Sequence, residues 1–226
     1  MAHGDTHISA QPGAPEETET RERSLAAAGA VFAEVGFRDA TVREICARAG
    51  ANVAAVNYHF GDKGRLYAET FERARCFSEA EYDRQIAASL GQPAEKRLEL
   101  YIHAFVRKLL DSGRPTWHAK LMSREMIEPT GVLDEVVQNY VKPQFDMLCG
   151  IVSEILGEGA SVDLVYMSAA SVIGQCLHYH HSREVATRLC PHLYNTPGVE
   201  GVIASHVTAF SLHALVAMRA SMGGTR

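Results

Sequence analysis

Apolar residues recur at helical spacing along most of this 226-residue chain. The first such segment begins at Arg21, and its apolar residues lie three or four positions apart: Leu25, Ala28, Val31, Phe32 and Val35. The preceding residues, 1–20, are polar and show no apolar period, so we expect them to form a disordered arm. No stretch alternates apolar and polar residues as a strand does, and the pattern therefore predicts an all-α fold.

Capping signals divide the next part of the chain into short helices. Thr41 and Glu44 fit a capping box, and Gly50 can end that helix in a left-handed turn. Asn52 can cap a third helix, which Gly61 ends. Three helices joined by tight glycine-containing connections are typical of a helix-turn-helix.

The remaining chain has the pattern of a larger helical domain. Its most apolar segments are residues 162–181 and 199–218, and Pro143 must kink or split the long segment that contains it. The predicted organisation is a three-helix helix-turn-helix domain over residues 21–67, followed by a larger helical domain over residues 68–226.

Composition and charge limit the class of protein. The five cysteines form no CxxC pair, which argues against a disulfide framework and a zinc ribbon. No apolar run approaches the roughly 18 residues of a membrane span, and the N-terminus lacks the charged and apolar regions of a signal peptide. We therefore expect a cytoplasmic protein without membrane contact. The net charge of −5 argues against a polyanionic partner, but residues 21–75 carry more basic than acidic residues.

The third short helix has a surface suited to duplex DNA. Cys46, Gly50 and Val56 supply the small and apolar residues that pack one helix across the other. Alanines allow close approach to the major groove, asparagine can bind adenine, and tyrosine, histidine and lysine can reach phosphates. The predicted contact residues are Thr41, Arg43, Asn52, Ala54, Ala55, Asn57, Tyr58, His59 and Lys63. The alternatives are that Thr41 and Asn52 only cap helices, that Arg43 is only solvated and that Tyr58 only packs.

The segment from Thr41 to Tyr67 resembles the TetR/AcrR family of transcriptional regulators. The resemblance rests on Asn57-Tyr58-His59-Phe60 with Lys63, preceded by Gly36-Phe37, Ala40-Thr41-Val42 and Ile45. The pieces NVAAVNYHFGDK and SREMIEPT are similar to the CecR-like subgroup. Two departures are Cys46, where alanine is usual, and Gly64, where an acidic residue is usual. Arg65 follows Gly64 and could add a phosphate contact.

The resemblance implies a ligand-responsive regulator without a cofactor. Such a protein binds a pseudo-palindromic operator in double-stranded DNA as a homodimer, and the resemblance favours a repressor that a small amphipathic or aromatic effector releases. The alternatives are a DNA-binding architectural protein without a ligand and a metal-responsive regulator. No phosphate loop, GxSxG, HExxH or paired catalytic carboxylates are present, so we do not expect an enzyme.

A stripe of aromatic, Met and polar residues in the second domain could line the effector cavity. Ordinary core packing is the alternative. The candidate residues are Phe105, Trp117, His118, Met122, Met126, Phe145, Gln175 and Tyr179.

The last two long helices are apolar on more than one face, which predicts a four-helix bundle made by two chains. The candidate interface residues are Val165, Ala169, Val172, Ile173, Ile203, Val207, Phe210 and Leu215.

Cysteine and histidine residues between 176 and 192 are the basis of the metal alternative. Cys176 and His180 are four residues apart and could share a metal on one helical face. Four ligands at a recognisable spacing are not visible, so no metal site is predicted.

Overall fold

A computed structural model describes residues 14–110 and 117–223, and the side chains of these residues except 14–16 and 75–83. Every element in these ranges is helical, which confirms the predicted all-α class. The helices are α1 (Ala14–Asp39), α2 (Val42–Ala49), α3 (Val53–Phe60), α4 (Lys63–Ser89), α5 (Ala94–Leu110), α6 (Trp117–Ile127), α7 (Leu133–Val136), α8 (Lys142–Leu156), α9 (Val162–His181), α10 (Arg183–Leu189), α11 (Pro191–Tyr194) and α12 (Val199–Gly223).

Helix α1 begins earlier than the apolar pattern indicated. It starts at Ala14, so residues 14–20 are helical rather than part of a disordered arm, and residues 1–13 lie outside the described residues. An ion pair between Glu19 and Arg23, four residues apart, supports this polar part of the helix. The apolar period could not reveal this first part of α1, because its residues are polar.

The chain forms two compact units. The first comprises the described residues up to Ala74 together with Trp117–Val132, and the second comprises those from Arg75 to Thr116 and from Leu133 onwards. The predicted boundary after residue 67 placed α6 in the second domain, whereas α6 belongs to the first unit. Because α6 begins 78 residues after the end of α1, their packing leaves no local pattern in the sequence.

The core of the first unit is built from the apolar faces of α1 to α4. The α1 residues selected by their spacing are buried, apart from the half-buried Val35. Phe32 of α1 meets Tyr67 of α4 edge to face, with 4.8 Å between ring centroids. Val56 and Phe60 bury the inner side of α3. These contacts define which side of α3 remains accessible.

Trp117 packs α6 closely against α1. Gly29 is buried in α1, and a Cβ atom at this position would lie 2.5 Å from Cε3 of the Trp117 indole. Only a glycine therefore leaves room for the ring against the backbone of α1.

The second unit is built around α5, α8, α9 and α12. The segment containing Pro143 is helical without a break from residue 133 to residue 156, so the predicted split is absent. A π-helical turn, Val137–Val141, immediately precedes α8, and the proline lies in the first turn of α8. Leu98 and Ile102 of α5 pack in one core with apolar residues of α8, α9 and α12.

Helix α12 is more apolar than the sequence pattern suggested. Within the described residues, it alone is long and apolar enough to cross a membrane, with a mean hydropathy of 1.5 over its most apolar window. Length and composition are weak grounds for a membrane span, because core helices meet the same criteria. Ile203, Val207 and Leu215 of α12 belong to the core of the second unit.

Candidate nucleic-acid interface

The local signals predicted for α2 and α3 are confirmed. The Thr41 hydroxyl accepts a hydrogen bond from the Glu44 amide at 3.1 Å, and Gly50 adopts the left-handed conformation with a φ of 60°. The Asn52 side-chain oxygen accepts a hydrogen bond from the Ala54 amide at 2.9 Å. These caps begin α2 and α3 and end α2, so α3 starts after a turn of only three residues.

Helix α3 presents the predicted face to solvent. Ala54 and Asn57 are exposed, Tyr58 is 79% exposed, and Ala55 and His59 are half-buried. The rings of Tyr58 and His59 meet edge to face at 5.5 Å. The accessible surface therefore combines small residues with hydrogen-bonding groups, as major-groove recognition requires.

The caps also restrict what Thr41 and Asn52 can contribute. Each uses its side-chain oxygen as the acceptor for a backbone amide, which agrees with the capping alternative. The Thr41 hydroxyl hydrogen and the Asn52 amide hydrogens can still be donated to an acceptor. Both residues are exposed, so capping and DNA contact are compatible.

Lys63 has a structural environment that the sequence did not indicate. Its ammonium group lies within hydrogen-bonding distance of the carbonyl oxygens of Phe37 at 2.9 Å, Ala40 at 3.1 Å and Arg38 at 3.3 Å. It also lies 4.6 Å from the centroid of the Phe37 ring. Because an ammonium group has three hydrogens, this geometry favours a brace between α4 and the α1–α2 corner over a phosphate contact.

Most arginines of the first unit are engaged by acidic side chains. Arg48 of α2 is paired with Glu34 at 2.8 Å and with Glu44 at 2.9 Å, and further pairs join α1 to α4. Those pairs are Arg21 with Glu69 and Arg73 with Glu22. These groups neutralise one another and contribute little to attraction of a distant anion.

Three exposed arginines differ, because they form no ion pair with any residue that the structure describes. Arg38 precedes α2, Arg43 lies in its first turn, and Arg65 lies in the first turn of α4. The arginine charges of the first unit that lack an ion pair among the described residues therefore lie near the starts of α2 and α4, the helices before and after α3. The sequence analysis did not select Arg38, which lies in the last turn of α1.

The proposed effector residues are divided between the units. Trp117, His118, Met122 and Met126 belong to α6 in the first unit; His118 is buried and Met126 is exposed. Phe105, Phe145, Gln175 and Tyr179 belong to the second unit. Three of these, Phe105, Phe145 and Tyr179, are partly buried against its core, and Gln175 donates to the Ser211 hydroxyl at 3.3 Å.

Most of the proposed interface residues are inaccessible. Five of them are buried in the core of their own second unit: Ala169, Val172, Ile203, Val207 and Leu215. Their burial disfavours a subunit contact at these positions, because the inward faces of α9 and α12 pack within the chain. Val165 and Ile173 also pack on this core, whereas Phe210 is 61% exposed.

The metal alternative gains no support from the described residues, in which no three His, Cys, Asp or Glu side chains come together as ligands. Burial raises the pKa of the Cys176 thiol to about 12, so the thiolate that binds metals is disfavoured. Burial also lowers the pKa of His180, with smaller contributions from the charges of His181 and Arg183. Cys190 and His192 approach each other, with 3.5 Å between Sγ and Nε2, but they form only a pair.

We predict that Lys63→Met lowers the free energy of unfolding by about 2 kcal/mol, because three carbonyls lose their charged donor. Operator affinity should fall at every salt concentration, while the salt dependence of binding keeps its slope. Urea unfolding and fluorescence-anisotropy titrations at several salt concentrations measure both effects. Lys96→Met, which removes an exposed pair with Glu99, is the control. A slope reduced by about 0.9 with unchanged stability would instead identify a phosphate contact.

Two family profiles and a curated relative match this chain. A family profile described as "Bacterial regulatory proteins, tetR family" matches residues 25–70. A second profile, the C-terminal domain of the "HTH-type transcriptional dual regulator CecR", matches residues 94–215. The CecR protein of Shigella flexneri is 29% identical over 174 residues, which cover 74% of this chain and 78% of that protein.

Solved structures show the same fold. The haemolysin II transcriptional regulator HlyIIR has a TM-score of 0.60 at 18% identity, covering 86% of this chain and 97% of HlyIIR. The FadR regulator of Bacillus subtilis, solved in complex with stearoyl-CoA, has a TM-score of 0.57 at 20% identity, covering 87% and 98%. The chain therefore belongs to the TetR family of bacterial regulatory proteins, with a CecR-type C-terminal domain, and is a DNA-binding transcriptional regulator.

Proposed function

We propose that this regulator acts in the cytoplasm as a homodimeric repressor. It binds a pseudo-palindromic operator through α3 of each chain, and a small amphipathic or aromatic effector taken up by the second unit releases it. No catalytic step is involved. Beyond the family assignment, the proposal specifies repression rather than activation, a homodimer, and an amphipathic or aromatic effector.

The observation that carries the proposal is the distribution of free charge around α3. Arg43 and Arg65 lie in the first turns of α2 and α4, the helices that precede and follow α3. Guanidinium groups without an internal acid can bind phosphates on the DNA backbone. Ala54 and Asn57 on the exposed side of α3 can then meet base edges. A surface of this kind can bind DNA although the whole chain is acidic.

Selection of bound duplexes from a random pool tests operator recognition. Two α3 helices related by a two-fold axis require two half-sites in inverted orientation, with centres about 34 Å or a multiple of this distance apart. The selected sequences should therefore be palindromic. Recovery of a single, non-repeated half-site would contradict the symmetric arrangement.

We predict that Arg43→Gln weakens binding to all duplexes and reduces the magnitude of the salt slope by about 0.9, because one phosphate contact is lost. Asn57→Ala should instead reduce discrimination at one base pair by about tenfold or more, with little change in slope. Lys96→Gln in the second unit is the control for the loss of one positive charge. An unchanged slope in Arg43→Gln would remove this arginine from the interface.

The dimer is supported by apolar residues that remain exposed on α9 and α12. The inward faces of both helices lie in the chain's own core, yet their outer faces are also apolar. The exposed large apolar residues are Val162, Tyr166 and Met167 of α9 and Val202, Phe210, Val216 and Met218 of α12. Two chains that pair these outer faces would form a four-helix bundle. The interface that we propose is therefore the outer faces of α9 and α12, with Phe210 retained from the sequence-based set.

We predict that the protein has a mass near twice 24.7 kDa by light scattering and that Phe210→Glu weakens dimerisation on the order of a thousandfold. Each of two symmetry-related rings would lose about 2 kcal/mol of burial. Leu90→Glu, which alters an exposed leucine outside α9 and α12, is the control. A fully dimeric Phe210→Glu protein would show that the chains pair elsewhere. Val172→Glu is unsuitable as a test because Val172 lies in the core.

The effector class rests on the mixed character of the second unit and on one solved neighbour. Phe105, Phe145 and Tyr179 offer aromatic surface, and Gln175 offers a polar group. The FadR structure contains stearoyl-CoA, which is amphipathic. The α6 residues are left out of this proposed site because α6 packs in the first unit.

We predict that an amphipathic compound which raises the melting temperature also lowers operator affinity, and that operator DNA lowers affinity for the compound by the same factor. A thermal-shift screen that includes stearoyl-CoA, followed by reciprocal titrations, measures this. Gln175→Leu should weaken binding of the compound. In the absence of the compound, its affinity for the operator should equal that of the wild type. A stabilising compound with equal affinity in the presence and absence of operator would show that it is not an effector.

A further inference from the structure

Cys190 and His192 form a close pair in the second unit that the proposed function does not use. Cys190 is the single residue between α10 and α11, and His192 is the second residue of α11. The Cys190 Sγ atom lies 3.5 Å from Nε2 and 3.7 Å from Nδ1 of the His192 imidazole. At such a distance the imidazole can take the thiol proton and leave a nucleophilic thiolate.

The backbone on both sides of Cys190 holds this pair in place. The Cys190 amide donates to the Ala186 carbonyl at 2.8 Å, and the Cys190 carbonyl accepts from the Leu193 amide at 3.1 Å. Pro191, which lies between the two side chains, begins α11 and has a fixed φ. These constraints restrict how far the thiol and the imidazole can separate.

The pair is accessible to a reactant, because Cys190 is half-buried and His192 is exposed. Of the other cysteine side chains that the structure describes, only Cys149 is also half-buried, and the remaining ones are buried. Cys149 differs from Cys190, because burial raises the pKa of its thiol and the charge of Asp146 raises it further. Cys149 is therefore a matched control, with a similar burial class and a disfavoured thiolate.

Aromatic side chains lie near the Cys190 thiol. Tyr194 of α11 and Tyr179 of α9 are both half-buried. Burial raises the pKa of the Tyr194 phenol, the charge of Tyr179 raises it further, Arg183 lowers it and Cys190 raises it. The Tyr194 phenol is therefore close enough to all three groups for their charges to act on it. A compound held at the thiol would thus meet aromatic surface that includes one of the proposed effector residues.

We propose that Cys190 is a covalent attachment site for aromatic α,β-unsaturated carbonyl compounds, with His192 as the base that activates the thiol. The inference rests on the proposed function and narrows its effector class to compounds that are both aromatic and electrophilic. It assigns a role to two of the Cys and His residues that do not gather as metal ligands.

The attachment is an addition in which His192 carries the proton. Its imidazole accepts the proton from Sγ, and the Cys190 thiolate forms a carbon–sulfur bond with the β-carbon of the compound. The electron pair of the carbon–carbon double bond moves towards the carbonyl group, and the imidazolium returns the proton to the α-carbon. The product is a thioether, and the compound and the protein are together neither oxidised nor reduced. The step therefore needs no cofactor and no second reactant.

An adduct at Cys190 would change the part of the second unit that joins α9 to α12. Helices α10 and α11 lie between these two helices in the chain. An aromatic group attached to the thiol has to be accommodated beside Tyr194, in a protein interior that is close-packed. We therefore expect the adduct to alter the arrangement of the second unit and to lower operator affinity.

Reaction of the full-length protein with N-phenylmaleimide, an aromatic α,β-unsaturated carbonyl compound, tests the attachment. Peptide mass spectrometry over a time course measures the rate at each cysteine, and Cys190 should react about tenfold faster than Cys149. His192→Gln removes the base and should slow the reaction of Cys190 by about a hundredfold. His213→Gln, which alters an exposed histidine of α12 beside the Ala209 carbonyl, should leave that rate unchanged.

Titration of the treated proteins with the selected operator tests the effect of the adduct. The treated wild type and the treated Cys149→Ser protein should lose about tenfold in operator affinity, within the usual range of coupling between sites. The treated Cys190→Ser protein should bind as it did before treatment. If the serine variant does not fold, Cys190→Ala replaces it.

The outcomes distinguish the attachment from the proposed function. Equal rates at Cys149 and Cys190, or a rate at Cys190 that His192→Gln does not change, overturn the inference. An adduct at Cys190 that leaves operator affinity unchanged also overturns it, and so does an equal loss of affinity in the treated Cys190→Ser protein. Operator binding by the untreated wild type stands in each of these cases. An untreated wild type that binds no selected duplex refutes the proposed function itself.

Discussion

The position of α2 and α3 depends on how the corner between α1 and α2 is held. The backbone carbonyls of Phe37, Arg38 and Ala40 converge on the Lys63 ammonium group, which approaches from the first turn of α4. One charged donor therefore satisfies several carbonyls where the chain leaves a helix and would otherwise depend on water. Helix α2 starts directly after this corner, and α3 follows α2 after a short turn. This corner therefore fixes where the α2–α3 pair begins.

The arginines of the first unit fall into two groups, those paired with acidic side chains and those without an ion pair. Arg48 and the arginines that join α1 to α4 are paired with acids and stabilise the unit. Arg43 and Arg65 lack such partners among the described residues and remain available to an anion. A local excess of unpaired positive charge matters more for DNA binding than the net charge of −5, because salt screens distant charges within about 8–10 Å.

Helices α9 and α12 of the second unit have apolar residues on two faces. The inward faces of α9 and α12 form the core with α5 and α8, while Phe210 and its exposed neighbours remain outside it. A single chain of this size is only marginally stable, so the inward residues are needed for folding and cannot also form an interface. The proposed association of two chains draws on the outer faces and would cover apolar surface that is otherwise in water.

The sequence by itself determined the features that depend on neighbours along the chain. The all-α class, the caps at Thr41 and Asn52, the stop at Gly50 and the family all follow from residues a few positions apart. Each is a local hydrogen bond, a preferred backbone conformation or a short motif, and such signals do not require knowledge of the fold.

Only the tertiary structure decided which side of each helix meets which partner. The sequence predicts a phosphate contact for Lys63 and cannot reveal its carbonyl partners, because these lie more than 20 residues away along the chain. The sequence placed α6 in the second domain, whereas α6 packs in the first unit, because a linear pattern does not show the space over Gly29 that accepts Trp117. Helices α9 and α12 are apolar on two faces, and period alone cannot tell the face that packs inward from the face that remains exposed. These partners are far apart in sequence and meet only when the helices pack together, so the tertiary structure is needed to identify them.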